Sequence, residues 1–234
     1  PLTVYWDVSP AGTASNVDYM LSHTNVIVLP VGVTNMDVTV TPLYNRSVQG
    51  DRTVILDLSD GGYTRGASTS ATVTIAPAVV TWYVATSGLD TRTGTNWAEA
   101  FASLSNAVAH ALEGDTILVS NGTYTISQTI SVTNRVTITG VGGRENTILR
   151  GTAGKRILSL ADPGALVNGF TITDGDYNAG GNNVGGAVTM TAGTLRDCTL
   201  CNSRVRSSDA WATVGGGALY LGGGTVEFCT ITNK

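Results

Sequence analysis

The sequence predicts an all-β protein in two parts: a small antiparallel sandwich, then a coil of stacked parallel strands closed at its start by one helix. Three observations lead there. The composition is poor in charge and rich in glycine and β-branched residues. Apolar and polar residues alternate in short runs over the first 77 positions. Near the far end a block of sequence returns at a fixed offset of 31 residues.

The chain of 234 residues is 42% hydrophobic but only 13% charged, about half the roughly 25% usual for soluble domains. Its 29 glycines accompany heavy use of Thr, Val, Ser and Asn, which favours strands joined by tight turns. The net charge is −4. No basic cluster marks a nucleic-acid partner, and no apolar run approaches the roughly 20 residues of a membrane span. Pro1-Leu2-Thr3-Val4-Tyr5 reads as mid-strand with no signal peptide before it, so we expect a piece of a longer precursor. Cys198, Cys201 and Cys229 permit at most one internal pair. Cys198-x-x-Cys201 lies in a strand pattern and has no second pair or nearby His to make a zinc site, so these are read as buried small apolar side chains.

In residues 1–77, Leu2, Val4 and Trp6 alternate with Thr3, Tyr5 and Asp7. Val26, Val28 and Pro30, then Val38, Val40 and Pro42, follow the same rule. Val54, Leu56 and Leu58 form a further strand, and Ser70–Ile75 the last. Pro10-Ala11-Gly12, Pro30-Val31-Gly32, Asn45-Arg46-Ser47 and Asp60-Gly61-Gly62 separate them. Short strands at regular spacing predict a small antiparallel sandwich.

Leu2-Thr3-Val4, Ala11-Gly12-Thr13-Ala14, Val17-Asp18-Tyr19, Leu29-Pro30-Val31-Gly32, Val54–Leu58 and Thr72–Ile75 resemble a Calx-beta domain over residues 2–75. The resemblance implies an immunoglobulin-like sandwich of the kind found in large surface proteins, some of which bind calcium. The family's calcium cluster would fall on Tyr44, Asn45, Gln49 and Arg52, none of them a carboxylate. A hard dication needs several oxygens with net negative charge, and Asp18 and Asp51 alone make a weak site. The family's first strand should precede Leu2 and is missing, which would leave backbone groups open to an added strand.

After the short linker Pro77–Val80, the second part runs over residues 81–234. Trp97, Phe101, Leu104, Val108 and Ala111 step by 4, 3, 4 and 3, one apolar face of a helix over 97–112, ended at Gly114. The repeat follows. Gly186–Met190 returns as Gly217–Leu221, and Gly193–Asn202 as Gly224–Asn233; both offsets are 31 (217 − 186, 224 − 193). An earlier copy, Val167–Asp174, lies 28 before (198 − 170), and a fainter one, Val136–Thr139, 34 earlier still (170 − 136). Such a unit cannot bury its apolar face alone; stacked units can. Phe170, Cys198 and Cys229 should then stack inward, as should Ile172, Leu200 and Ile231, while Asp174, Asn202 and Asn233 line a turn. Cys198 and Cys229 are expected as neighbours in a ladder rather than as a bridge.

Trp82-Tyr83-Val84, Gly88, Asp90, Gly94, Trp97, Ala100-Phe101, Leu104, Ala107, Gly114–Ile117 and Gly122-Thr123-Tyr124 resemble the N-terminal cap of secreted, pectate-lyase-like β-helix proteins. That resemblance spans residues 82–234 and implies a right-handed parallel β-helix. The fold hosts lyases, hydrolases, adhesins and structural coils alike. No matching C-terminal cap is visible.

For chemistry the sequence offers little. Asp174, Asp176 and Asn178 place oxygen ligands at alternating positions, like the start of a calcium loop, but the closing Glu is replaced by Gly185. Calcium on these three residues is the one metal reading, and no other cofactor is implied. Arg150, Lys155, Arg156, Arg196, Arg204 and Arg206 are candidate bases by type only. His23 and His110 lie in different parts of the chain. No Ser-His-Asp or Gly-x-Ser-x-Gly pattern occurs. Two insertions, 174–185 and 203–216, follow the same strand in successive coils and should protrude side by side. They carry Tyr177, Arg204, Arg206, Asp209 and Trp211, a candidate grip for a sugar or a partner protein.

The expectation is therefore a structural or adhesive segment of an extracellular or cell-surface protein. Its partners would be other copies of itself, neighbouring domains or glycans, and the missing first strand and uncapped last coil suggest filament assembly by strand complementation. The alternative readings are a polysaccharide lyase or hydrolase fragment, or a carbohydrate-binding module using Tyr177 and Trp211.

Overall fold

The computed structural model describes residues 1–44, 50–179, 183–207, 209 and 214–232. The chain divides into two compact units, Pro1–Ala78 and Val79–Lys234.

In the first unit, β1 (Leu2–Val8), β2 (Tyr19–Leu21), β3 (Val26–Leu29), β4 (Val40–Pro42), β5 (Arg52–Leu58) and β6 (Ser70–Ile75) form two antiparallel sheets. One has the order β3-β1-β5-β6; the other pairs β2 with β4. This is a small sandwich. Trp6, Ile27, Val54 and Ile75 are its buried apolar residues. The expected alternation of β3 is corrected by one position: Ile27 is buried, whereas Val26 and Val28 are exposed. All four residues of this strand are apolar, so the sequence leaves its phase open. The register Val4↔Ile27 sets it, placing Ile27 on the inward face. Asp18 is also buried and takes hydrogen bonds from Ser15 N (2.7 Å) and Ser15 Oγ (2.8 Å), with Arg52 at 3.7 Å. The Asn45 and Gln49 of the family's calcium cluster lie outside the described residues.

The second unit is a parallel β-solenoid. Each coil passes through three sheets in turn. The first contains Thr81–Val84, Thr116–Val119, Thr137–Gly140, Leu166–Asn168, Thr194–Arg196 and Thr225–Glu227. The second contains Gly122–Ile126, Thr147–Gly151, Thr171–Thr173, Thr199–Cys201 and Thr230–Ile231. The third contains Ile130–Val132, Leu158–Leu160, Val188–Met190 and Leu219–Leu221. The registers stack Ile117, Ile138, Val167, Leu195 and Val226 in one ladder, and Tyr124, Leu149, Ile172, Leu200 and Ile231 in another. Nearly all are fully buried. Ile231 is 53% exposed because no described coil lies above it.

The predicted order of stacking holds for the described residues, with the last members, Cys229 and Ile231, partly or largely exposed. Phe170, Cys198 and Cys229 follow one another, since Thr171, Thr199 and Thr230 are in register. The turn residues Asp174 (φ 61) and Asn202 (φ 49) are both left-handed, a geometry that Asp and Asn tolerate better than other non-glycine residues. Asn233 lies outside the described residues. The faint copy at Val136 is corrected. Thr137 pairs with Leu166, so this segment belongs to the first sheet, and the true predecessor of Phe170 is Thr147, one before the pair Ile148↔Thr171. Both sheets use β-branched runs, which blurs the phase. Gly186 shows why the repeat keeps a glycine. A Cβ there would sit 2.1 Å from Gly217 O and 2.2 Å from Arg204 O, so backbone packs directly on backbone.

The helix expected over 97–112 is shorter, α1 at Leu104–His110. The residues before it form bends and a turn with one bridge, at Phe101: Phe101 N donates to Tyr83 O (2.9 Å) and Tyr83 N to Gly94 O (2.8 Å). Asp90 Oδ1 accepts from Ala102 N and Ser103 N, both at 2.9 Å. Ser103 then caps the helix, accepting from Asn106 N at 3.2 Å. Phe101, Leu104 and Ala111 are buried as the apolar pattern required and Val108 is half-buried, but Trp97 is 44% exposed and sits edge-on to Tyr83.

Thr147 is fully buried, and its Oγ1 has no hydrogen-bond partner among the described residues. An unmatched buried hydroxyl is costly. Thr147→Val, with nearly the same shape, is expected to raise stability by about 1 kcal/mol, read as a higher urea midpoint with an unchanged slope.

Candidate functional site

The insertions predicted to protrude side by side form a fourth, short sheet: Ala153–Gly154, Asp176–Asn178 and Arg204–Arg206. Asp176 lies opposite Arg204 and Asn178 opposite Arg206. Farther along, Asn183–Val184 pairs with Val214–Gly215. The turn before this sheet is fixed by Ser203, which is buried; its hydroxyl donates to Cys201 O (2.8 Å) and accepts from Gly175 N (3.1 Å).

Asp176 is the centre of the face. Its side chain is 9% exposed. It accepts from Arg204 Nη2 at 3.1 Å, Arg206 Nε at 2.8 Å and Arg206 Nη2 at 2.5 Å. The Arg204 hydrogen bond above all holds its carboxyl below the usual carboxylate range; burial opposes it, and Arg206 adds to the lowering. Asp174 pairs with Arg150 at 3.3 Å. Gly151, Ala153, Asp174, Asp176, Asn202 and Arg204 line a shallow depression of about 350 Å³.

Tyr177 turns the other way on its strand. Arg156 lies over its ring, 4.0 Å from the centroid, and is anchored by Nε to Gly185 O (2.9 Å) and Nη2 to Val184 O (2.5 Å). One face of the ring is therefore covered. Asn178 is exposed. Asp209 N donates to Ser207 Oγ at 3.1 Å, and Trp211 lies outside the described residues. The structure thus gathers Asp174, Asp176, Arg204 and Arg206 and places Tyr177 beside Arg156. For calcium, the consequence is direct: the Asp174 and Asp176 oxygens face guanidinium groups, which supply the positive charge a cation would bring. No group of three or more His, Cys, Asp or Glu side chains arranged for a metal occurs among the described residues.

No family model matches the chain, and no curated protein matches it. Among solved structures it is similar to a rhamnogalacturonan lyase at 12% identity and a TM-score of 0.37, over 66% of this chain and 53% of that one. The match thus spans about half the length of the lyase. The Calx-beta resemblance rests on its sequence motifs alone; what the structure supports is the coarser statement, an antiparallel sandwich followed by a parallel β-solenoid. No helix among the described residues is long and apolar enough to cross a membrane.

The sequence marks Arg150 and Arg156 only by residue type, and Arg204 and Arg206 by type and by their place on the second insertion. Their pairing was within reach. Asp176 and Arg204 are 28 apart (204 − 176), the same offset as Phe170 and Cys198 in the repeat, so equal coil length already set them side by side. Ser203 carried no such signal.

A carboxylate held by two guanidinium groups resists protonation and offers few free lone pairs, which suits positioning rather than acid–base work. Asp176→Asn is expected to lower stability at pH 7 by about 1–2 kcal/mol, toward the low end because the Arg204 and Arg206 side chains are 64% and 47% exposed. The sign in acid follows from the lowered pKa. The stabilisation is present above the unfolded-state value of about 3.9 and is lost as pH falls through the lower folded value. The gap in urea midpoint between the two proteins should hold from pH 7 down to about 4 and narrow below that.

Proposed function

We propose that the chain is a structural segment of a secreted or cell-surface protein, with the solenoid serving as a stiff spacer. The observation that supports this is how its charged side chains are used: they join one coil to the next. Arg150 meets Asp174, Arg204 and Arg206 meet Asp176, and Arg196 meets Glu227. Arg144 reaches farther, to Asp197 at 3.3 Å and to Phe228 O at 3.0 Å, two and three coils on. Each exposed pair contributes only about 0–1 kcal/mol, but a series along the solenoid opposes the sliding and peeling of successive coils. Two measurements test the reading: antibody labelling of intact source cells, and incubation of the purified chain with acidic and neutral polysaccharides. Labelling of intact cells without release of unsaturated or reducing ends is expected. Labelling only after lysis, or product formation lost in Asp176→Asn, would overturn it.

A second reading, self-association by an added strand, is favoured by one feature of the first unit. Val4, Trp6, Ile27, Leu56 and Leu58 line an apolar groove of about 700 Å³, and the buried indole N–H of Trp6 has no partner among the described residues. A strand from a second copy would bring both apolar side chains and a carbonyl to accept that proton. Sedimentation velocity over a hundredfold concentration range should show growing species, weakened by Trp6→Phe; one monomeric species throughout would end this reading.

A further inference from the structure

The three cysteines are free thiols, and two of them meet. Thr199 lies opposite Thr230 and Leu200 opposite Ile231; one residue earlier, Cys198 lies opposite Cys229. Thr230 N donates to Cys198 O at 2.9 Å, fixing this register. Adjacent strands are about 4.8 Å apart, inside the range of roughly 4.4–6.8 Å between α-carbons joined by a disulfide. Each cysteine follows a left-handed corner residue, Asp197 (φ 47) or Phe228 (φ 54), so both side chains leave the corner in the same way. The side chains are neighbours: Cys229 Sγ accepts from Cys198 N at 3.4 Å, while the Cys198 thiol donates to Arg196 O at 3.1 Å and the Cys229 thiol to Glu227 O at 3.3 Å. Cys198 is fully buried, whereas Cys229 is only partly so and can be reached from solvent. The third cysteine has no such partner. Cys201 lies opposite Thr173 in the coil below, and the position 31 residues on is Thr232.

We propose that Cys198 and Cys229 form a disulfide between successive coils when they meet a small oxidised disulfide, RS–SR. The Cys229 thiolate attacks one sulfur of RS–SR, breaking its S–S bond and releasing RS⁻, which takes up a proton. Cys198 then gives its proton to solvent and attacks the Cys229 sulfur of the mixed disulfide, expelling the second RS⁻. Two protein thiols are oxidised, and one small disulfide is reduced to two thiols. The environment fits these roles: the neighbouring Cys198 side chain lowers the Cys229 thiol to about 6, while the same neighbour and burial push Cys198 up. A thiolate is the attacking species.

The test is to incubate the folded full chain with glutathione disulfide, then unfold it, alkylate the remaining thiols and map the peptides without reduction. Two of the three alkylatable thiols should be lost, a cross-linked peptide pair should carry Cys198 and Cys229, and Cys201 should remain alkylated. Cys201→Ser should leave the cross-link unchanged, and the same reaction in urea should scatter the pairing among all three cysteines. Three alkylated thiols, a mixed disulfide that stops at Cys229, or a cross-link through Cys201 in the folded chain would each overturn the proposal. Neither the wild type nor Cys201→Ser alters the buried Cys198, so misfolding cannot mimic a negative result.

Discussion

Phe170→Ala is expected to lower stability by about 3–5 kcal/mol, the cost of removing a large side chain from a close-packed interior and leaving a cavity. Phe170 is fully buried and is the large member of a ladder whose other positions are small: Thr147 below, Cys198 and Cys229 above. Neither neighbour can expand to fill the space, because each is itself held in register by its strand. The loss falls on the contacts between coils. In a solenoid, stability is approximately a sum of units and nearest-neighbour interfaces, so weakening one interface uncouples what lies on either side of it. Hydrogen exchange should therefore rise more over residues 194–231, beyond the cavity, than over 116–132. Phe170→Leu, which keeps most of the volume, should cost about 1.5 kcal/mol or less. Equal protection in both regions, with a drop below about 1 kcal/mol for the alanine variant, would mean that the ladder does not carry the coil stacking.

The same ladder shows how much was legible in the sequence. Residues 170, 198 and 229 stand out because the block around them repeats, and a repeat of short strands has one economical solution, stacking. The left-handed turn at Asp174 and Asn202 was readable for the same reason. Legibility failed where the pattern was degenerate. Val26–Leu29 is apolar throughout, so only pairing with β1 fixes its inward face. Val136–Thr139 looks like any β-branched rung, and only its partner Leu166 assigns it to the first sheet. The helix pattern from Trp97 was correct about the burial of Phe101, Leu104 and Ala111 but not of Trp97, and wrong about conformation up to Ser103, because a turn segment tied to Tyr83 and Asp90 can bury Phe101 as well as a helix can. At the candidate site, equal coil length gave the Asp176–Arg204 pairing, but nothing in the sequence says that two arginines would close on one carboxylate. That depends on side chains meeting across coils, which residue type alone does not encode.

Asp115→Ala is expected to cost about 3–5 kcal/mol, although the sequence marks Asp115 only as a member of the Gly114–Ile117 stretch that follows the helix and resembles the β-helix cap. Its side chain is completely buried. Oδ1 accepts from Val80 N at 2.7 Å; Oδ2 accepts from Trp82 Nε1 at 2.8 Å and Leu112 N at 2.9 Å. One carboxylate thus ties the entry to the solenoid, the first strand of the first sheet and the chain leaving α1. Trp82 in turn packs on Phe101, with ring centroids 5.8 Å apart, and against His110. Removing the carboxylate leaves three donors without this acceptor, at about 1–3 kcal/mol for each buried group left unsatisfied. Water entering the space would recover part of that, which sets the total below the simple sum. Asp115→Asn keeps the shape but replaces one acceptor oxygen with an N–H₂ group facing a donor, so it should cost roughly half as much. Thermal unfolding followed by tryptophan fluorescence and circular dichroism separates the possibilities. If Asp115 holds the cap onto the coil, the alanine variant should lose the Trp82 environment at a lower temperature than it loses strand signal. A single coincident transition at the wild-type temperature would show that the first coil is closed by apolar packing alone.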